Sequence, residues 1–480
     1  MNNQIRRLGL VLGVLLAALL INLSFQQVFL ADSIKARAGN SRTLLQEYDR
    51  ERGPILVQAS QVAKSEPTND NLKYLRTYSN GPLYAPATGF YSMVYGASGI
   101  EKAENPVLSG TGAEFFVDRV SQLFGGAAVK GGAVTLTLNP QAQQAAFDGL
   151  DGKVGSVTAI DPKTGAILAL AQSPSFDPNQ LSSHDPTAIT AYYNQLLQDP
   201  DQPLLNRPLV STPPPGSTFK LVVSSAALES GRYTPDSELP GPAQYPLPNS
   251  NESIPDTFGT ACGPNDKVTL QQALVISCNT AFAYLGDELG NAALADQADK
   301  FGFNTSFKVP LIAATSRYPR GLDAAQTAQS AVGQFNVTAS SMQMALVGAS
   351  LGNGGVTMEP YLVQDTRGAD LQLLSQTEPK EHARAVSSAN AASMLTMMEA
   401  VVNQGTGSNA AIPGVRVGGK TGTAETGGNR PNVAWFVAVA PIDNPQIAVA
   451  VTVENAGTTE VSGNQLAAPI ARQVMEAVLQ

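Results

Sequence analysis

The chain has 480 residues, of which 43% are hydrophobic and only 14% charged, with a formal net charge of −9. That length exceeds one ordinary core and implies two or three domains, and the composition excludes a disordered chain. No basic stretch follows the first residues, which excludes a nucleic-acid binder, and two histidines with two cysteines offer too little for a metal site; no cofactor is expected.

Arg6 and Arg7 precede an apolar run, Leu8 to Ile21, that continues less cleanly to Leu30 and Ala31. About 20 apolar residues span a bilayer, so 8–30 reads as one transmembrane anchor. The arginines favour a cytoplasmic tail, 1–7, and an exported remainder, so the protein is expected in the cell membrane as a single-pass chain. A cleaved signal peptide ending near Leu30-Ala31-Asp32 is the competing reading, and the length of the run favours the anchor.

Residues 32–53 are rich in charge and suit a stalk. Residues 54 to about 132 mix turn residues (Asn80-Gly81-Pro82, Pro86, Gly89) with tyrosines and short apolar pieces, without a long periodic helix. Ala133 to Leu138 alternates like a strand, and Asn139 suits the cap of a helix over 141–149. Together 31–150 is expected to be a stalk and an irregular α+β pedestal. Gly155 to Leu170 reads as a hairpin about Asp161-Pro162-Lys163-Thr164-Gly165, and a second domain, 151–480, is expected from there.

Pro213-Pro214-Pro215-Gly216-Ser217-Thr218-Phe219-Lys220 opens an apolar run. The prolines and Gly216 cannot continue a helix backwards, so a helix is expected to begin near Gly216. Ser217 and Lys220 then share a face one turn apart. A serine hydroxyl needs an adjacent base to become a nucleophile, and a lysine whose pKa is depressed can be that base.

Gly231 to Pro264 reads as a long loop. A helix is expected over 268–289, capped by Thr269, with Ser277-Cys278-Asn279 at its centre. Further helices are expected over 337–351 and 389–402. Three strands at hairpin spacing follow over 415–424, 432–441 and 447–453, then a last helix over 469–479. The fold class is therefore α/β (α+β), with a central antiparallel sheet flanked by helices.

Ser217-x-x-Lys220, Ser277-x-Asn279 and Lys420-Thr421-Gly422-Thr423 each have a bland reading: an exposed helix pair, polar residues on a helix surface, an edge-strand lysine before a turn. The three in this order, on an exported chain, instead point to one shared site. His184 and His382 stand in no motif-like setting for a Ser-His-Asp triad.

With these motifs the chain resembles a class B penicillin-binding protein, of the actinobacterial type called penicillin-binding protein A. The likeness extends to the single anchor, to Arg50-x-Arg52-Gly53-x-Ile55-Leu56, to Trp435-Phe436, to Gly333-Gln334-Phe335, to Gln343-Met344-Ala345 and to Asn353-Gly354-Gly355. No glycosyltransferase-sized region precedes the catalytic part, which argues against the bifunctional type. The family's second motif often carries aspartate where this chain has Cys278.

The resemblance implies a penicillin-binding-protein and serine β-lactamase-like transpeptidase domain, and a D,D-transpeptidase that cross-links peptidoglycan stem peptides through a serine acyl-enzyme and is inhibited by β-lactams. It implies that Ser217 attacks the carbonyl between two D-alanines and Lys220 takes its proton. Ser277 and Lys420 then help pass a proton to the departing D-alanine. Asn279 bonds Lys220 and the substrate amide. Thr421, Gly422 and Thr423 line the substrate strand, with Thr423 near the terminal carboxylate. The backbone N–H groups of Ser217 and Thr423 would hold the oxyanion, and Gly418 and Gly419 would permit close approach. A polytopic glycan polymerase and other division or elongation proteins are the implied partners.

Cys262 and Cys278 are 16 positions apart. In an exported chain they can form a disulfide worth roughly 3 kcal/mol by loop closure; two separate thiols are the alternative. The rival activities are a β-lactamase or D,D-carboxypeptidase, a β-lactam sensor, and a silent division scaffold. A fast lactamase needs a carboxylate-held water, for which Glu288 is the nearest glutamate after the second motif.

Overall fold

A computed structural model describes residues 2–28, 47–115, 130–257, 259–427, 431–456 and 461–480. The expected stalk over 32–46 and the end of the anchor, 29–30, lie outside the described residues. The helix Asn2–Val28 contains a stretch, Gln4–Gln26, long and apolar enough to cross a membrane, and none of it is buried against the rest of the chain.

The first sheet has six strands in the order Leu373–Gln376, Val363–Arg367, Ala133–Leu136, Ile55–Val57, Ser60–Pro67, Tyr74–Tyr78. Ile55–Val57 runs parallel to Ala133–Leu136, and the remaining neighbours are antiparallel. Two of the six therefore come from residues 363–376, far along the chain and inside the range expected for the second domain. Glu101 binds this region together from within. It receives Arg52 Nε (2.5 Å), Arg76 Nε (2.6 Å) and the Tyr78 hydroxyl (3.1 Å), and all four side chains are buried.

The second sheet has five antiparallel strands in the order Gly418–Ala424, Val433–Ala440, Ile447–Asn455, Val154–Ile160, Ile167–Ser173. The expected hairpin and the expected meander are thus halves of one sheet, joined where Ile447–Asn455 pairs with Val154–Ile160. Side chains alternate along each strand. Trp435, Val437 and Val439 face one core; Ala434, Phe436, Ala438 and Ala440 face the other. The wholly buried run of the helix Ser341–Gly352 covers the first face, close enough that a Cβ on Gly348 would touch Val437 at 3.1 Å. The helices Pro140–Leu150 and Ala468–Leu479 cover the second through Ala146, Leu150, Ile470 and Val474.

Asn139 caps Pro140–Leu150, its side chain accepting from the N–H groups of Gln141 and Ala142. Although 140–150 was grouped with the first domain, this helix packs on the second sheet, because its Ala142-Ala146-Leu150 stripe matches that sheet's apolar face. Packing partners thus change near 137–139, and strands return to the first sheet at 363–376.

Candidate active site

The segment that carries Ser217 is held through three proline carbonyls. Prolines carry no donor, so Pro213, Pro214 and Pro215 offer only C=O groups. Each is taken by a different element. Ala339 N–H bonds Pro213 (3.1 Å), the Trp435 indole bonds Pro214 (2.9 Å), and the Thr218 hydroxyl bonds Pro215 (2.7 Å). Gly216 then takes φ 51°, and a Cβ there would meet the Thr423 carbonyl at 2.8 Å, so glycine is what lets the segment lie against the outer strand. A 3-10 turn, Gly216–Phe219, precedes the helix Lys220–Glu229. In that tighter turn positions i and i+3 lie on the same side, the relation between half-buried Ser217 and Lys220.

The second motif corrects the sequence expectation. No continuous helix covers 268–289: Leu270–Val275 stops, Ser277 adopts φ 61°, and a new helix, Asn279–Lys300, starts at once and kinks at Gly290. The reason is geometric. Residues two apart on a helix point to different sides, so an unbroken helix could not aim Ser277 and Asn279 at one spot. The break lets both reach Lys220. Its Nζ donates to the Ser277 carbonyl (2.7 Å), the Ser277 hydroxyl (3.2 Å) and Asn279 Oδ1 (2.7 Å). Cys278, between them, is the N-cap of the second helix and is joined to Cys262 by a disulfide.

Lys420 reaches the same hydroxyl from the outer strand Gly418–Ala424, with Nζ 2.9 Å from Ser277 Oγ. The Ser277 hydroxyl therefore sits between two lysine nitrogens. Lys420 Nζ also donates to the Thr421 carbonyl at 3.0 Å, so that carbonyl is directed toward the site. The period of two then gives the Thr423 backbone the same direction. Thr423 is exposed, on a strand with a neighbour on one side only.

Gly422 also has a local packing role. A Cβ there would meet Thr218 Cγ2 and Trp435 Cβ at 3.0 Å and the Pro215 carbonyl at 3.1 Å. Its bare face accommodates the turn that carries Ser217. At Gly418 and Gly419 a Cβ would press on Met398 (3.1 Å) and on the Phe436 ring (2.7 Å), so these glycines admit the helix Ser388–Gln404 and a ring beneath the strand.

Both lysines are fully buried. Burial and then the neighbouring Lys420 drive the Lys220 ammonium well below the ordinary lysine range, with Asp256 opposing them. Burial pushes Lys420 down to about 7. Two cations beside one neutral hydroxyl disfavour each other's charge, which adds to the cost of burying both.

His184 bonds Asp70 and His382 faces the Asp299 carbonyl, so both histidines lie away from these lysines. Glu288 is exposed, and its own carbonyl accepts from Arg232. Two groups that matter locally were invisible in the sequence. Thr406 meets the Thr421 hydroxyl at 2.7 Å, and Asp256 accepts the Asn279 N–H at 2.9 Å. The first is the middle residue of the Gly405-Thr406-Gly407 that ends a helix and the second lies in a Pro/Gly-rich loop, so neither carries a local pattern that names its partner.

Residues 155–476 match the penicillin-binding protein transpeptidase domain family, and 52–134 match the penicillin-binding protein A dimerisation domain. The chain is 42% identical over 490 residues to the peptidoglycan D,D-transpeptidase PbpA of Mycolicibacterium smegmatis, covering 100% of this chain and 99% of that one. The Mycobacterium tuberculosis PbpA is 40% identical over 493 residues, with the same shares covered. The structure resembles penicillin-binding protein A from M. tuberculosis in its ceftriaxone acyl-enzyme complex, with TM-score 0.88 at 40% identity, covering 91% of this chain and 100% of that one. Penicillin-binding protein 3 of the same organism aligns with TM-score 0.76 at 25% identity, covering 90% and 96%. With its motifs meeting in one buried cluster and its relatives matching end to end, the chain belongs to the penicillin-binding protein transpeptidase family.

Proposed function

We propose that Ser217 is the residue acylated in this chain and that Lys220, Ser277, Asn279 and Lys420 form the proton path around it. The activity is peptidoglycan D,D-transpeptidation, with β-lactams as acylating inhibitors. The observation that carries the assignment is the Ser277 hydroxyl held 3.2 Å from Lys220 Nζ and 2.9 Å from Lys420 Nζ.

Neutral Lys220 takes the proton of the Ser217 hydroxyl as Oγ bonds the carbonyl carbon of the penultimate D-alanine. The oxyanion forms between the backbone N–H groups of Ser217 and Thr423; such donors are worth about 2.7–4 kcal/mol each. The C–N bond breaks, and the departing D-alanine amine takes a proton from Lys420 through Ser277. The amine of a second stem peptide then attacks the ester carbon, gives up its proton along the same path and releases Ser217. Thr421 and Thr423 receive the substrate backbone along the free side of the outer strand, with Thr423 beside the terminal carboxylate.

Arg6 and Arg7 before the apolar helix favour a cytoplasmic N-terminus, which puts the catalytic part outside the membrane with its substrate. A polytopic glycan polymerase and other division or elongation proteins are the membrane partners in this reading. The first-sheet unit is the pedestal in this reading, and the helix Pro140–Leu150 belongs with the transpeptidase unit on which it packs.

Intact-mass spectrometry of the protein incubated with benzylpenicillin tests the assignment. The wild type is expected to gain a stable adduct, and Ser217→Ala none. An adduct that clears within minutes would make the chain a lactamase, and an adduct surviving in Ser217→Ala would remove Ser217 from the role.

A further inference from the structure

The loop that follows the short strand Ser253–Pro255 grips the second motif from behind. Asp256 is only 6% exposed, and its Oδ1 accepts the backbone N–H of Asn279 at 2.9 Å. The disulfide Cys262–Cys278 ties the same loop to the same turn. Asn279 is the first residue of the helix Asn279–Lys300, so a carboxylate there also faces the positive end of the helix. The side chain of that same residue holds Lys220.

The groups around Lys220 come from four directions. Lys420 faces it from the outer strand, Ser277 and Asn279 from the broken turn, the Phe282 ring from the helix beyond (5.4 Å to Nζ), and the Asp256 charge from the loop. Lys420 and the apolar wall disfavour a proton on Lys220; the carboxylate favours one.

We infer that Asp256 is a positioning residue for the acylation reaction, fixing Asn279 through its backbone N–H and so, through the Asn279 side chain, holding a negative charge behind Lys220. The inference rests on the assignment of Lys220 as the base for Ser217. Its role is distinct from the three motifs: Asp256 acts through Asn279, by setting where in pH the base becomes neutral.

The direction follows from the charge. Acylation needs neutral Lys220, so its rate rises with pH through the lysine's pKa. The Asp256 charge holds that pKa up, and removing it moves the rising limb to lower pH. The experiment measures the second-order rate of acylation by a fluorescent penicillin between pH 5 and 9, on the whole protein in detergent. Asp256→Asn retains an oxygen for the Asn279 N–H but no charge; Asp256→Ser is a second neutral variant should the first fail to fold. Each is expected to shift the rising limb down by about one pH unit. Asp256→Glu keeps the charge and is expected to keep the limb at its wild-type position, whatever its rate.

A limb that stays in place in the neutral variants, or moves up, would reduce Asp256 to a helix cap and overturn the inference. Ser217→Ala and the wild type, run alongside, separate the two levels. If the wild type is not labelled at Ser217, the assignment of the nucleophile has failed, not the role of Asp256.

Discussion

Two buried clusters in this chain each gather two cations around one small polar side chain, and they behave in opposite ways. In the first domain Arg52 and Arg76 converge on Glu101. Burial alone would raise the Glu101 carboxyl, but Arg76 and Arg52 outweigh it and hold it below its usual range; in return Arg52 is held above its own. In the second domain Lys220 and Lys420 converge on the Ser277 hydroxyl, and both are driven down. A central carboxylate locks its cations in the charged state; a central hydroxyl leaves them unable to stay charged together. The residue types suit the roles. Arginine keeps its proton and makes a fixed fork, whereas lysine shifts its pKa readily when buried. One cluster is a structural clasp; the other is the one proposed as the proton relay.

Breaking the relay is expected to have the largest effect. Lys220→Met removes the base while filling much the same volume, and the acylation rate is expected to fall about 10²–10⁴-fold. Stopped-flow labelling with a fluorescent penicillin checks this, with a thermal melt showing that the variant is folded. A fall of less than threefold would mean that another group takes the Ser217 proton.

The clasp should fail differently. Glu101→Gln leaves two buried guanidinium groups without a counter-charge, and the expected loss is about 3–5 kcal/mol of stability. Urea unfolding of the part that follows the apolar helix measures it. The folded fraction is expected to acylate at the wild-type rate; a loss of rate without a loss of stability would mean that the two clusters communicate.

The smallest effect sharpens the comparison through pH. In the proposed path Lys420 carries the proton that reaches the leaving amine, and it loses that proton as pH rises through about 7. Turnover of a D-Ala-D-Ala peptide is therefore expected to fall about fivefold between pH 7 and pH 8, as for a single group titrating there. Glu101→Gln should leave that falling limb in place, since Glu101 is already ionised over the whole range. A limb that moved with Glu101 would contradict the separation of clasp and relay.

How much of this was legible beforehand depended on the range of the interaction. Short-range signals were faithful. Asn139 and Thr269 cap the helices that follow them, and the apolar strands near 433–440 and 447–453 sit where alternation and turn residues put them. The three motifs were visible because each combines its own chemical groups within four residues. The break at Ser277 was not visible, because helical periodicity favours a continuous helix over 268–289. What overrides it is a contact between elements far apart in the chain, with Lys220 and Lys420 both seeking the Ser277 hydroxyl. The packing role of Gly422 was not visible either, since its missing side chain makes room for Thr218 and Pro215, distant in the chain.

By itself the sequence determined the membrane-length apolar helix, the local elements and the identity of the chemical groups, since those depend on neighbours within a turn or a strand. Only the tertiary structure decided which groups face one another. It joined Val154–Ile160 to Ile447–Asn455, returned residues 363–376 to the first sheet, broke a helix at Ser277 and brought Asp256 behind Asn279. The physical reason is that burying two lysines against one hydroxyl is favourable only when distant segments supply the remaining hydrogen bonds together.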